Sequence, residues 1–295
     1  MRKVTFAATQ MVCTNNTDEN IRNAVKLVRK AKGEGANVIL LQEIFSSMYF
    51  CQEYDFSNFK LAEEEEDSPL LRRMSELSEE LKVVLPVSFF EKANNVFFNA
   101  IVVFDADGKK LGKYRKTHIP DDPGYYEKFY FSPGDTGFKV WDTKFCKVGV
   151  GICWDQWFPE AARCMCLKGA EVLLYPTAIG TYAVPEKELV NETYNNRHWT
   201  NVMCGHGAAN MVPVVASNRI GREYAKNTAI DFYGCSFISD QYGDVVKQAG
   251  STEETILTST FDMDALRDER VNNVLFRDRR PEMYHALMTL DGGGS

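Results

Sequence analysis

Val148-Gly149-Val150-Gly151-Ile152-Cys153-Trp154-Asp155-Gln156-Trp157-Phe158-Pro159-Glu160 is an apolar run that stops at a cysteine, turns through a stretch crowded with aromatics, and enters a segment led by proline. Proline suits a first helical position because its missing N–H is one the helix leaves unpaired anyway, and Lys168-Gly169 supplies a matching helix end. The stretch reads as strand, tight turn, helix. A nucleophile on such an elbow is presented beyond the strand end, with backbone N–H groups aimed at whatever it attacks. That layout suits addition to a carbonyl.

The same alternation runs outward in both directions. Val4–Gln10 is strand-like, and Asn16–Lys32 carries a helical apolar face (Ile21, Ala24, Val25, Val28) that ends near Gly33. Val38-Ile39-Leu40-Leu41 is a continuous apolar run, as in a strand buried on both faces, and it ends in Gln42-Glu43. A helix over Ser68–Lys82 and a strand over Val83–Phe90 follow. Asn99–Phe104 and Lys110–Lys116 flank Asp105-Ala106-Asp107-Gly108 as a hairpin.

Beyond the elbow come the helix Glu160–Lys168, the strand Val172–Tyr175, a helix over about Asn191–Asn210 and the strand Val212–Asn218. A second hairpin pairs Cys235–Ile238 with Asp244–Val246. With no Pro/Gly/Ser-rich linker, one domain of two similar halves over residues 1–290 is the reading, with 291–295 as a disordered tail. Helix–strand alternation mixed with hairpins implies an α/β protein with large mixed sheets covered by helices.

Bulk properties narrow the function. The 295 residues are 44% hydrophobic and 25% charged, ordinary for a soluble globular protein, and the net charge of −7 argues against nucleic acid or an anionic membrane as partner. No segment approaches the roughly 18 consecutive apolar residues of a membrane span, and the N-terminus lacks the apolar stretch of a signal peptide. Eight scattered cysteines then read as reduced thiols, and a cytoplasmic location is expected.

Three ionisable residues end strand-like runs: Glu43, Lys116 and Cys153. Taken singly, a cysteine in an apolar run is most often inert core, and a Glu or Lys after a strand is most often a surface charge. Ligands of such sheets gather beyond the carboxyl ends of strands, so the joint position reverses that reading. A thiol needs a base or a positive charge to become a thiolate near neutral pH. Glu43 can take the proton and later return it to a leaving amine, and Lys116 with the Trp154 N–H can hold an oxyanion, a role typically worth ~3–4 kcal/mol per donor.

A Cys–His dyad is the competitor. His118 lies two residues past Lys116, but Thr117-His118-Ile119-Pro120 reads as a structural turn. His198 and His206 have a poor zinc spacing, and Cys164-Met165-Cys166 lacks a matching pair, so neither a metal nor a cofactor is expected. The acidic run Glu63–Asp67 reads as a solvated loop or helix start.

On these residues the chain resembles the nitrilase superfamily of carbon–nitrogen hydrolases, across nearly its whole length. Leu41-Gln42-Glu43 matches the family's glutamate motif, Tyr114-Arg115-Lys116-Thr117-His118-Ile119-Pro120 its lysine motif, and Gly151-Ile152-Cys153-Trp154-Asp155 its cysteine motif. The resemblance implies a four-layer αββα sandwich with a C-terminal arm, here Arg277–Tyr284, and a homodimer or larger homo-oligomer. It places a second glutamate on Glu127, which orients the lysine and assists proton transfer.

Within the superfamily, Asp121–Phe138 and Cys153–Glu160 look most like the branch that hydrolyses N-carbamoylputrescine to putrescine, carbon dioxide and ammonia. Asp122 stands where that pattern has glycine, and Tyr126 also departs from it. Relatives acting on carbamoyl amino acids carry an arginine just after the cysteine, where this chain has Asp155-Gln156. A carboxylate clamp is therefore missing and a cationic ureido substrate fits better. Asp155 either faces the substrate's amine or caps the turn. Trp154, Asp155, Tyr125, Asp121, Thr177 and Ala178 are the candidate substrate contacts. The alternatives are the same chemistry on β-ureidopropionate, an ω-amide or a nitrile, and, from another class, a catalytically silent scaffold.

Overall fold

The structure, a computed structural model, describes residues 1–183 and 192–293. Its strands are β1 (Lys3–Gln10), β2 (Val38–Leu40), β3 (Leu85–Ala93), β4 (Val96–Phe104), β5 (Lys110–Arg115), β6 (Val140–Asp142), β7 (Lys147–Val150) and β8 (Val172–Pro176). They continue with β9 (Gly180–Ala183), β10 (Val214–Ser217), β11 (Ile220–Tyr224), β12 (Ala229–Tyr233), β13 (Phe237–Ser239), β14 (Val245–Gln248) and β15 (Thr255–Asp262). The helices are α1 (Thr17–Gly33), α2 (Pro69–Leu81), α3 (Glu127–Tyr130), α4 (Pro159–Leu167), α5 (Glu192–Asn210) and α6 (Met263–Asn272). The helix start expected at Asn191 and the tail residues Gly294 and Ser295 lie outside the described residues.

Two mixed sheets form the centre. One runs β15-β1-β2 and continues through the parallel Val38–Val84 bridge into β3-β4-β5, and the other runs β14-β13-β10-β8-β7-β6. The period-two alternation of strand side chains decides what each sheet face meets. From β1 and β2, Val4, Phe6, Ala8, Val38 and Leu40 pack against Val148, Val150, Val172 and Leu174 of the other sheet. The intervening Ala7 and Ile39 face Ala24, Val28, Met74 and Leu77 of α1 and α2. Leu173 and Tyr175 likewise meet Met165 of α4 and Trp199 and Met203 of α5. The result is the four-layer αββα sandwich, each fully buried large side chain contributing ~1.5–3 kcal/mol.

Local signals set the helix limits. Asn16 accepts from the Glu19 N–H at 3.0 Å and Ser68 from the Leu71 N–H at 3.0 Å, each cap worth ~1 kcal/mol. The acidic run is an ordered charge surface: Glu64 pairs with Lys92, and Glu65 and Glu66 with Lys110.

Some elements lie beyond the sequence reading. β15 pairs antiparallel along the whole of β1, although its polar threonines and serine give it little apolar signal. Past the strand expected over Val172–Tyr175 the chain runs into β9, which joins β12 and β11 in a small third sheet. Its pairing partners lie some fifty residues away, so short-range pattern carries no trace of it. The arm after α6 is exposed, with Met283, Leu287, Met288 and Leu290 in contact with solvent.

Candidate active site

Glu43, Lys116, Glu127 and Cys153 converge beyond the strand ends. Glu43 follows β2, and its N–H reaches the Thr177 carbonyl at 3.3 Å. Lys116 extends β5, donating its N–H to Asn99 of β4 at 2.8 Å. Glu127 opens α3. Cys153 sits after β7 with φ +43°, a left-handed conformation costly to a non-glycine residue and the strain of a true elbow.

The Lys116 ammonium is completely buried and donates to Glu43 Oε1 at 2.9 Å and Glu127 Oε2 at 2.7 Å. Asn99 Nδ2 donates to the same Glu43 oxygen at 2.7 Å, and the Tyr49 hydroxyl donates to Glu127 Oε1 at 2.6 Å. Glu43 Oε2 is buried with no hydrogen-bond partner among the described residues. An unpartnered buried carboxylate oxygen is costly, and it is the lone pair a proton would seek.

The charges determine the resting protonation. Burial alone would lower the Lys116 pKa, but Glu127 and Glu43 outweigh it and hold it well above the ordinary value, so the ammonium stays charged. Burial raises Glu127, with Lys116 opposing and Glu43 reinforcing the shift. Burial also pushes the Cys153 thiol well up; Glu43 and Glu127 add to this and Lys116 only partly offsets it. Two carboxylates and one ammonium make a net negative surrounding, which favours the neutral thiol of Cys153.

Two further features hold the geometry. Ile44, next to Glu43, has φ +43°, unusual for a β-branched residue. Arg219 Nη2 donates to the Glu43 and Ile44 carbonyls at 2.7 and 3.1 Å, while Nη1 pairs with Glu223 at 2.8 Å. A buried guanidinium thus clamps the strained turn behind the carboxylate. Gly134 lets the chain pass against Lys116, whose carbonyl accepts its N–H at 2.8 Å. A Cβ there would lie 2.1 Å from the Arg115 carbonyl oxygen.

A cavity of about 400 Å³ opens onto Cys153, lined by Trp154, Trp157, Tyr125, Tyr182 and Tyr233, the Ala178–Thr181 segment and Asp122. Of the residues proposed from sequence, Trp154, Tyr125 and Ala178 share this lining with Cys153. Tyr125 is fixed there, donating to the Gly180 carbonyl at 3.0 Å and accepting from the Gly180 N–H at 2.9 Å.

Asp155, Asp121 and Thr177 are not brought to the cavity. The Asp155 carboxylate is fully buried and accepts from the Ile152 N–H at 2.9 Å, the Tyr114 hydroxyl at 2.7 Å and the His118 N–H at 3.0 Å. His118 Nδ1 completes the set at 2.7 Å. Asp155 therefore staples the cysteine elbow to the lysine segment, with no lone pair facing substrate. Gln156 is also structural, bridging Thr177 Oγ1 and the Trp199 indole at 3.2 and 2.8 Å. Asp121 is exposed outside the cavity lining. His118 stacks on Phe158 with ring centroids 3.6 Å apart, in the supporting role its turn suggested.

Tyr49, Asn99 and Arg219 are site residues that sequence reasoning passed over. Asn99 had a signal, as the lone polar residue inside the apolar run Phe97–Phe104. Tyr49 had none, since its partner Glu127 lies far along the chain.

The sequence profile of the carbon-nitrogen hydrolase family matches residues 5–270. The chain belongs to that family. This carbon-nitrogen hydrolase is 52% identical over 296 aligned residues to an N-carbamoylputrescine amidase of Solanum tuberosum, covering 99% of this chain and 97% of the relative. It is 47% identical to a citrullinase of Francisella tularensis subsp. tularensis, covering 98% and 99%. The solved carbon-nitrogen hydrolase of Helicobacter pylori G27 shares the fold with a TM-score of 0.89 at 38% identity, covering 98% of this chain and 99% of that one.

Proposed function

We propose that this enzyme hydrolyses N-carbamoylputrescine to putrescine, carbon dioxide and ammonia, with Cys153 as nucleophile, Glu43 as base and acid, and Lys116 and the Trp154 N–H as oxyanion donors. The observation that carries the substrate is the cavity lining: among the described residues it holds no lysine or arginine, and its only charged side chain is acidic. A carboxylate-tailed ureido compound such as β-ureidopropionate finds no cation among the described lining residues, whereas an ammonium tail meets aromatic faces and a carboxylate. About 50% identity to N-carbamoylputrescine amidases over nearly full length supports the same choice.

In the reaction, Glu43 Oε2 takes the thiol proton as sulfur adds to the ureido carbon. The oxyanion gathers the third Lys116 N–H, the two others being spent on carboxylates, and the Trp154 N–H in the first turn after the elbow, where helix donors have no internal partner. Protonated Glu43 returns its proton to the leaving nitrogen as the C–N bond breaks, leaving a carbamoyl thioester. Glu43 then deprotonates one water, which displaces the thiolate, and the proton passes from Glu43 to the Cys153 sulfur to restore the thiol. The carbamic acid released falls apart to carbon dioxide and whichever of putrescine and ammonia did not leave in the first step. Glu127, held by Tyr49, keeps Lys116 charged and aimed.

Ammonia release from N-carbamoylputrescine, citrulline and β-ureidopropionate, measured side by side, tests this. A kcat/KM at least tenfold higher for N-carbamoylputrescine is expected, and Cys153→Ser should abolish turnover. A preference for either carboxylate, or activity surviving Cys153→Ser, overturns the reading. Eight free cysteines support a reducing cytoplasmic setting, and the exposed apolar side chains of the arm support a homo-oligomer.

A further inference from the structure

We propose that Asp122 binds the distal ammonium of the substrate and sets the preference for an amine-terminated tail, a reading that rests on the reaction proposed above. The carboxylates near the cavity can be taken in turn. Glu43 and Glu127 are committed to Lys116 at the reacting end. Asp155 is saturated by four donors from the protein itself. Asp121 lies off the lining. Asp122 alone lines the cavity with a carboxylate that no hydrogen bond or ion pair engages among the described residues.

Its backbone, by contrast, is pinned. The Tyr125 N–H donates to the Asp122 carbonyl at 2.7 Å, the Asp122 N–H returns to Tyr125 at 3.4 Å, and Pro123 stiffens the turn between them. Tyr125 is itself locked to Gly180. Gly124 makes this possible with φ +80°, and a Cβ there would lie 2.5 Å from the Tyr182 ring. A free carboxylate on a rigid turn is preorganised for a cation, since little entropy is lost on binding.

Asp122 is exposed, while Cys153 on the same lining is buried, so the two mark the mouth and the depth of one cavity. A ureido group at the thiol directs its alkyl chain past the aromatic side chains of Tyr125, Trp157 and Tyr182 toward that mouth. Aromatic faces suit both the methylenes and the approaching ammonium.

The experiment compares N-carbamoylputrescine with N-butylurea, its analogue with the terminal amine removed, on the wild-type enzyme, Asp122→Asn and Asp122→Glu. The ratio of the two kcat/KM values should fall about tenfold in Asp122→Asn, carried by KM, and be largely kept in Asp122→Glu. Added salt should shrink the wild-type ratio but not that of Asp122→Asn. Equal thermal melts exclude misfolding of a surface-turn variant. A wild-type preference for N-carbamoylputrescine that Asp122→Asn leaves intact overturns the assignment to Asp122 alone. A wild-type enzyme that does not distinguish the two ureas overturns the proposed substrate along with it.

Discussion

Glu127→Gln is the sharpest test of how the buried charges work. The Lys116 ammonium has three donors and spends two of them, at 2.9 Å on Glu43 and 2.7 Å on Glu127. The substitution keeps the shape but turns the shorter bond from an ammonium–carboxylate pair into an ammonium–amide one, ionised on the donor side only. With both partners ionised the native bond stands at the upper end of the ~1.5–3 kcal/mol range for charged hydrogen bonds, and with one ionised partner at the lower end, so ~1–2 kcal/mol is lost directly. Lys116 is then drawn toward Glu43 alone, and a misaimed oxyanion donor adds ~1 kcal/mol more. At 1.36 kcal/mol per tenfold, kcat should fall about 30- to 150-fold. The thiol should move the other way. Glu127 is among the charges that raise the Cys153 pKa, so removing it lowers that pKa and speeds iodoacetamide alkylation at a fixed pH. Steady-state ammonia release and timed alkylation, on protein whose melt shows it folded, read both effects. A kcat within threefold of wild type, or slower alkylation, would refute the charge assignment. Structural damage would expose the other buried thiols as well, so alkylation confined to Cys153 separates the charge effect from it.

Asp155→Asn separates a staple from a tail-binding residue. It should destabilise the fold by ~2–3 kcal/mol and lower kcat/KM for N-carbamoylputrescine and N-butylurea by the same factor, because the side chain faces the Cys153 elbow and His118. A loss confined to the amine-tailed substrate would return Asp155 to the substrate site. The Cys153 thiol is raised by burial and then by Glu43, so its thiolate fraction at pH 7 lies below that of a free cysteine. Alkylation of the resting enzyme should therefore keep climbing beyond pH 9, and a plateau by pH 7 would show a preformed thiolate instead.

The layers were legible because binary pattern reports burial on each face of a strand. Val38–Leu41 and Val172–Tyr175 are apolar at every position, and each is a central strand covered on both sides. β15 and the β9-β11-β12 sheet were not legible: their stability comes from partners far along the chain, and their own residues are polar or mixed. The site divides the same way. Glu43, Lys116, Cys153 and, through resemblance, Glu127 could be named because each sits in a recognisable local frame. Asn99, Tyr49 and Arg219 act only through contacts made across the fold.

The sequence by itself determined the alternating α/β order, the elbow that strains Cys153 and the set of ionisable residues that end strands. Tertiary structure decided what each charge faces. Asp155, beside Cys153 in sequence, is turned inward and saturated by Tyr114, His118 and Ile152, whereas Asp122, thirty-one positions upstream of that cysteine, reaches the cavity with no partner among the described residues. Adjacency along a chain fixes a few ångströms of backbone, but a buried carboxylate must find donors, and only the packed sheets bring them within reach.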